Sequence, residues 1–391
     1  MKYLLPFFLM LTVLFSACQA SPAYDPTVST QPTETLFPTE VPTEPEPTVP
    51  PTTQPLSLID QMISTMMLEE KVGQLFLARC PDVGALEDLK QYQFGGYILF
   101  GRDFQNRTPA EAAAYIEDFQ NASSIPLLIA VDEEGGTVTR ISRYSQYRDA
   151  KFPSPRWLYN QGGLELVLQT EEEKCILLNS LGINVNMALV CDVTTDPNAF
   201  MYSRSLGQSP ETTAQYIQST VSLMSRHNIG SVLKHFPGYG NNADTHTGIA
   251  ADNRTLEELL SADLVPFSAG IEAGCGAILV SHTFVNCLDT AYPASLSPLV
   301  ISYLRQDMGF SGVVVTDDLA MGAITELYGA GEAAVLAVLA GNDLLISSEY
   351  QIQYDAILEA VRSGRIPEEM LNESVKRILT WKQNLGLINN D

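Results

Sequence analysis

From about Leu58 onward, short apolar runs alternate with longer stretches in which apolar residues recur at helical spacing. Eight runs read as strands: 74–78, 96–100, 126–131, 183–190, 230–233, 277–280, 312–315 and 343–346. Most are apolar at every position, as expected of parallel strands covered on both faces. Helix signals fill the intervals. Thr108-Pro109-Ala110-Glu111 reads as a cap, a first-turn proline and a capping-box glutamate. Ser209-Pro210-Glu211 repeats that start, and 332–340 and 368–385 read as further helices. Eight βα units in roughly 330 residues predict an α/β protein, a (β/α)8 barrel of the TIM type in one catalytic domain. A doubly wound open sheet is the alternative. No glycine-rich fingerprint follows the first strand, which counts against a dinucleotide-binding sheet.

The first 57 residues do not share this pattern. Residues 1–18 place an apolar run, Leu4 to Phe15, behind Lys2. The run is short for a membrane span and reads as an export signal. It ends Leu14-Phe15-Ser16-Ala17-Cys18, similar to a bacterial lipobox, which predicts lipidation of Cys18. Gln19 to Ser57 contain ten prolines, nine threonines, five acids and no Lys or Arg. That composition cannot build a core and predicts an extended spacer over 19–57, with the barrel occupying 58–391. The expected location is therefore outside the cell, tied by lipid to the outer face of the bacterial membrane.

Composition narrows the partners. Twenty-two Lys and Arg against 46 Asp and Glu give a formal charge of -24. Nucleic acid is excluded as a partner, because phosphate binding needs a basic face. Without Cys18, five cysteines remain, at spacings that suggest neither a disulfide framework nor a zinc site.

In a barrel, chemistry is built where the strands end. Those ends carry Arg79, Arg102, Asp132 with Glu133 and Glu134, Asp192, Lys234 with His235, His282, and Asp317 with Asp318. Solvent also begins there, so charge alone decides little. His227, before Gly230, reads instead as a cation at a helix C-terminus. The most informative stretch is Lys234-His235-Phe236-Pro237-Gly238-Tyr239-Gly240, followed by Asp244-Thr245-His246. In a turn, Asp244 and His246 can converge, so that the carboxylate orients the imidazole as a proton shuttle. Metal binding is the rival, but no second cluster has ligand spacing, and no metal or cofactor is predicted.

Taken together, these segments resemble glycoside hydrolase family 3, in its β-N-acetylglucosaminidase branch. The resemblance rests on Lys234–Gly240 with the Asp244-Thr245-His246 triplet, and on five further segments in the same order. They are Val131-Asp132-Glu133-Glu134-Gly135-Gly136, Ser203-Arg204-Ser205-Leu206-Gly207, Pro293-Ala294-Ser295-Leu296-Ser297, Val315-Thr316-Asp317-Asp318-Leu319 and Ala340-Gly341-Asn342-Asp343-Leu344-Leu345. The chain departs from the family pattern at Tyr239, where His is usual, at Thr137, often Arg, and in a loop one residue shorter after Gly240.

The resemblance implies Asp317 as nucleophile and His246 as acid/base, with Asp244 orienting it. It implies Asp132, Arg204, Lys234 and His235 as contacts to a terminal N-acetylglucosamine, with Arg140 as a further contact. Should the shorter loop displace His246, another group, Glu134 or a residue not singled out here, carries the proton. The expected reaction is retaining hydrolysis of β-linked N-acetylglucosamine, from peptidoglycan fragments or chito-oligosaccharides. A phosphorylase, a β-glucosidase and a lipid-anchored sugar-binding protein with a degenerate site are the alternatives. The expected partners are a carbohydrate and a membrane, with no protein partner.

Overall fold

A computed structural model describes residues 56–240 and 248–389. Two helices, α1 (Leu58–Thr65) and α2 (Leu68–Gln74), lead into β1 (Phe76–Arg79). The chain then alternates through α3 (Ala85–Tyr92), β2 (Gly96–Ile98), α4 (Pro109–Ala122), β3 (Leu128–Val131), α5 (Pro155–Ser180) and β4 (Val185–Val190). It continues through α6 (Pro210–Arg226), β5 (Gly230–Phe236), α7 (Leu264–Glu272), β6 (Ala277–Val280), α8 (Pro298–Ser302) and β7 (Val313–Thr316). Helix α9 (Ala330–Ala340), β8 (Leu345–Ser347), α10 (Tyr350–Arg362) and α11 (Glu368–Asn384) complete it. A separate two-residue ribbon pairs Ala251–Asp252 with Phe284–Val285.

The eight main strands are all parallel and run in the order β8-β1-β2-β3-β4-β5-β6-β7. A bridge between Val315 and Leu344 joins the two ends of that series. The sheet is therefore a closed (β/α)8 barrel, and the open doubly wound alternative is excluded. Closure leaves no sheet edge, and both strand faces are buried, which explains the near-continuous apolar runs. Leu77, Ile98, Leu128, Val185, Val232 and Val315 fill the barrel interior. Their neighbours Phe76, Ala78, Ile129 and Leu233 pack outward against the helices.

The helix starts form as their sequences require. Thr108 Oγ1 accepts from the Glu111 amide at 3.3 Å, and the Glu111 carboxylate accepts from the Thr108 amide at 2.8 Å. Ser209 caps α6 by accepting from the Thr212 amide at 3.3 Å, and His227 stands at the C-cap of the same helix. Helix α11 closes the N-terminal end of the barrel, with Ile378 and Trp381 joining the interior cluster. Gly276 is what admits the indole: a Cβ there would lie 2.1 Å from Trp381 Nε1.

Two strand boundaries differ from expectation in ways that matter. Gln74, expected to start the first strand, is the last residue of α2. Strand β5, expected to end at Leu233, runs on through Lys234, His235 and Phe236, all buried. Charge in a strand is tolerated here because Asp132 and Glu134, just after β3, and Asp192, just after β4, face it.

Candidate active site

At the C-terminal end of the barrel lies a cavity of about 300 Å³, the size class of a single-sugar site. Ile98, Phe100, Met187, Leu279, Met321 and Ile346 form its apolar walls. Larger grooves exist, among them one of about 500 Å³ beside α11. What distinguishes the upper cavity is convergence of charge: Asp132, Glu134, Arg140, Arg204, Lys234, His235 and Asp317 all line it.

Lys234 comes from β5, whose pairing with β6 slips between Leu233 and Phe236. Its Nζ lies 2.7 Å from Asp132 Oδ1 and 2.7 Å from Glu134 Oε1. Arg204 grips Glu134 with two parallel contacts, Nη2 to Oε1 at 2.7 Å and Nε to Oε2 at 3.0 Å. Arg140 reaches the other oxygen of Asp132 at 3.3 Å. Burial would raise both carboxyl groups, but the adjacent cations outweigh it. Lys234 and Arg140 hold Asp132 below its ordinary range, and Lys234 and Arg204 hold Glu134 far below. Both acids are therefore ionised at neutral pH. Such an array offers a sugar hydroxyl donors and acceptors already in place, with no reorganisation on binding.

His235 belongs to the same network through both ring nitrogens. Nδ1 is 2.9 Å from Asp192 Oδ2, and Nε2 is 3.2 Å from Arg204 Nη2. Because a guanidinium only donates, Nε2 accepts from Arg204 and Nδ1 donates to Asp192. Asp192 also accepts from the Tyr239 amide at 2.7 Å. The Tyr239 ring stands edge-on to His235, centroids 5.2 Å apart, and packs on Phe200. Tyrosine at this departure from the family pattern thus forms a wall behind the imidazole.

Asp317 follows β7. Its Oδ1 accepts from the Asp318 amide at 2.9 Å, while Oδ2 accepts from no described residue. Asp318 is differently placed. Its Oδ1 accepts from the Ala320 amide at 3.0 Å and its Oδ2 from Ser348 Oγ at 2.6 Å. Its carbonyl accepts from His282 Nε2 at 3.0 Å, and His282 Nδ1 lies 2.6 Å from Ser295 Oγ. Thus Asp318, His282 and Ser295 brace the turn that presents Asp317.

The loop that leaves this region after Gly240 has a fixed root. Arg254 donates to the Gly238 carbonyl at 3.2 Å and pairs with Asp252 and Asp263. Gly238 has φ +119°, and a Cβ on it would lie 2.4 Å from the Asp263 side chain, so glycine is required. Asp244, His246 and Cys18 lie outside the described residues.

A model of the glycosyl hydrolase family 3 N-terminal domain matches residues 67–381. The chain belongs to glycosyl hydrolase family 3. It is a glycoside hydrolase. It is 31% identical over 325 residues to beta-hexosaminidase LpqI of Mycobacterium tuberculosis, across 80% of this chain and 82% of that protein. A beta-hexosaminidase of Thiobacillus denitrificans is 33% identical over 274 residues, 68% of this chain and 74% of its own length. The structure of a family 3 beta-N-acetylglucosaminidase from Paenibacillus sp. str. FPU-7 superposes with a TM-score of 0.77 at 33% identity. That superposition covers 83% of this chain and 64% of the Paenibacillus protein.

Within this family 3 barrel, the structure brings Asp132, Arg140, Arg204, Lys234, His235 and Asp317 to one cavity, as the sequence suggested. Glu134 needs correction. As a carboxylate held ionised by Lys234 and Arg204, it cannot serve as a stand-in proton donor. Asp192, named only as a strand end, proves to be the anchor of His235. Glu133 is a further brace, accepting from the amides of Arg140 and Ile141 at 2.7 and 2.8 Å. Sequence spacing carried no signal for either: Asp192 meets His235 from 43 positions away, and Glu133 folds back on its own loop.

Proposed function

We propose that the chain is a retaining β-N-acetylhexosaminidase acting on terminal, non-reducing β-linked N-acetylglucosamine. The observation that carries this reading is the unequal commitment of the carboxylates in the cavity. Asp132 and Glu134 are ionised and cation-bound, and both Asp318 oxygens are occupied. Asp317 alone among these four keeps an oxygen that no described residue satisfies. Retaining glycosidases usually pair a nucleophilic carboxylate with a second carboxyl group that gives the proton. None of the other three carboxylates here is fit to do so, which favours the Asp244–His246 pair as the proton source.

In the first step Asp317 Oδ2 attacks the anomeric carbon as the glycosidic C–O bond breaks. His246, protonated and oriented by Asp244, gives its proton to the departing oxygen. In the second, neutral His246 takes a proton from water as that water displaces Asp317, restoring the β configuration. Asp132, Arg204, Lys234 and His235, with Arg140, hold the sugar. Peptidoglycan fragments or chito-oligosaccharides are the substrates. Lipid at Cys18 and the spacer of residues 19–57 hold the enzyme at the outer face of the membrane, where such material lies.

Turnover of a chromogenic β-N-acetylglucosaminide, in phosphate and in phosphate-free buffer, tests the reading. Free N-acetylglucosamine is the expected product in both. The 1-phosphate sugar as main product would make the chain a phosphorylase, and saturable binding without turnover a sugar-binding protein. The proton assignment has its own check. His246→Ala should spare the first step of an activated aryl glycoside, giving a burst, while abolishing cleavage of a disaccharide. Equal slowing of both substrates without a burst would remove His246 from the role.

A further inference from the structure

The loop between β4 and α6, residues 191–209, delivers two members of the site network, Asp192 at its start and Arg204 near its end. It contains no strand or helix of its own. A loop of that length needs tethers if its side chains are to keep their places. One side chain supplies several of them. Arg156, the second residue of α5, donates from Nη2 to the Thr194 carbonyl at 2.8 Å and to Ser205 Oγ at 3.0 Å. Its guanidinium lies over the Tyr202 ring, with Cζ 3.7 Å from the centroid. A Cβ on Gly207 would stand 2.2 Å from the same Cζ, so the loop backbone packs directly on the fork. Thr194 follows shortly after Asp192, and Ser205 adjoins Arg204. Arg156 therefore fastens the loop next to each residue that it sends into the site.

The base from which Arg156 reaches is itself fixed. Ser154 caps α5 by accepting from the Trp157 amide at 3.3 Å, and Pro155 sets its first turn. Just before the helix, the Phe152 carbonyl accepts from the Gly136 amide at 2.8 Å. The segment 152–156 thus joins the loop of Asp132 and Glu134 to the loop of Asp192 and Arg204, whose side chains meet in the Glu134–Arg204 pair. The hydrogen bonds of Arg156 go to a carbonyl and a hydroxyl, so it contributes placement and not charge balance. Its Nε is enclosed without a partner, which makes arginine a costly choice for packing alone.

We propose that Arg156 is a positioning residue for the sugar site. By clasping its loop at both ends it sets Arg204 in register with Glu134 and His235, and Asp192 in register with His235. This rests on the proposed function, in which Arg204 and His235 hold the sugar, and assigns their alignment to a residue that does not line the cavity. Without the clasp the guanidinium and imidazole shift, and contacts made alike to substrate and transition state weaken. Asp317, on the turn after β7, keeps its place. The signature is a rise in KM without a matching fall in kcat.

A purely structural residue would lower stability and leave the affinity of the folded enzyme alone, so the test reads both. Arg156→Met keeps most of the stem and removes every donor. It should raise KM for a chromogenic β-N-acetylglucosaminide, and weaken calorimetric binding of N-acetylglucosamine, by about tenfold, with kcat changed by less than about threefold. Arg156→Lys should fall between this variant and the wild type, because an ammonium reaches an acceptor but cannot lie flat on Tyr202. Ser205→Ala should raise KM less, and its effect should shrink in the Arg156→Met background. Urea unfolding of each variant separates affinity from stability. Unchanged KM and N-acetylglucosamine affinity in Arg156→Met, at any loss of urea stability, overturns the proposal, as does a fall in kcat at constant KM. If Arg156→Met does not fold, Arg156→Lys and Ser205→Ala decide, and a wild-type KM in both overturns it. A wild type that binds N-acetylglucosamine without cleaving the glycoside defeats the glycosidase reading. Weaker binding by Arg156→Met would then still uphold the clasp, and equal binding would overturn it. A wild type that neither binds nor cleaves overturns both.

Discussion

Two of the buried lysines, Lys234 and Lys382, lie at opposite ends of one barrel, and their surroundings are opposite in kind. Lys234, at the C-terminal end, is held by Asp132 and Glu134, and through them by Arg140 and Arg204. Lys382, on α11 at the N-terminal end, has a single hydrogen-bond partner among the described residues, Gln74 Oε1 at 2.7 Å. The first is one member of a charge network that joins β5 to the loops following β3 and β4. The second is an isolated ammonium that the packing of α11 encloses. The contrast follows the division of labour in this fold, in which one end carries chemistry and the other stability. It also separates the residues within the C-terminal end, where Asp132 and Glu134 are neutralised by cations and the proposed nucleophile keeps an oxygen that no described residue satisfies.

The largest effect expected from breaking this contrast is in rate. Asp317→Ala should lower turnover by at least ~10³, because the covalent step is lost. The melting temperature should hardly change, since Asp317 Oδ2 bonds no described residue and Oδ1 bonds only the neighbouring amide. Asp318→Ala should show the reverse balance, losing more stability than rate, because its oxygens tie Ala320 and Ser348 in place. Steady-state kinetics and thermal melts on both variants measure this. A larger rate loss in Asp318→Ala than in Asp317→Ala would reverse the two assignments.

Next comes the network itself. Lys234→Met leaves Glu134, buried, and Asp132, half-buried, without their shared cation, which should destabilise the fold by ~3–5 kcal/mol as well as weaken sugar binding. Adding Glu134→Gln should recover part of that loss, and a double-mutant cycle by urea unfolding reads the coupling. The same network gives an acid signature. Asp132 and Glu134 have folded pKa values below their unfolded ones. Their contribution is complete above the unfolded values near ~4 and is lost as the pH falls toward the folded ones. Wild-type stability should therefore drop steeply below about pH 4, and less steeply in the Glu134→Gln variant. Parallel acid profiles would show that Glu134 is not the group responsible.

How far the sequence foresaw this differs between the barrel and its site. Eight apolar runs with capped helices between them were legible, because local pattern and local capping dictate both. The extent of β5 was not. Lys234 and His235 read as the first residues beyond a strand, whereas they are buried within it. What makes that possible is Asp132, 102 positions away, and Asp192, 43 away from His235. No local rule announces such partners. For the same reason Glu134 looked available as an acid until Arg204 and Lys234 were seen beside it. Asp317 and the other residues that line the cavity could be picked out because several motifs in order specified them, not because charge at a strand end is informative.

The smallest effect, and the cleanest control, lies at the other end. Burial pushes the Lys382 ammonium down to about 7, against ~10.4 in an unfolded chain. Below pH 7 both states carry the charge, and the folded state bears the full burden of having it buried. Between about 7 and 10 the unfolded chain holds a proton that the folded one lacks, so stability rises with pH across that window. Lys382→Met, similar in length and uncharged, should abolish the rise. It should stabilise the protein most at pH 6 and least at pH 10, where only the bond to Gln74 is lost. Tyrosines and cysteines also titrate near pH 10, but they are common to both proteins and cancel in the difference. Because Lys382 lies at the end of the barrel away from the sugar cavity, kcat/KM at pH 7 should be unaltered. Urea unfolding of the pair at pH 6, 8 and 10 decides it. A constant difference at all three values would mean that Lys382 keeps its charge inside the fold, and that the bond to Gln74 suffices to hold it.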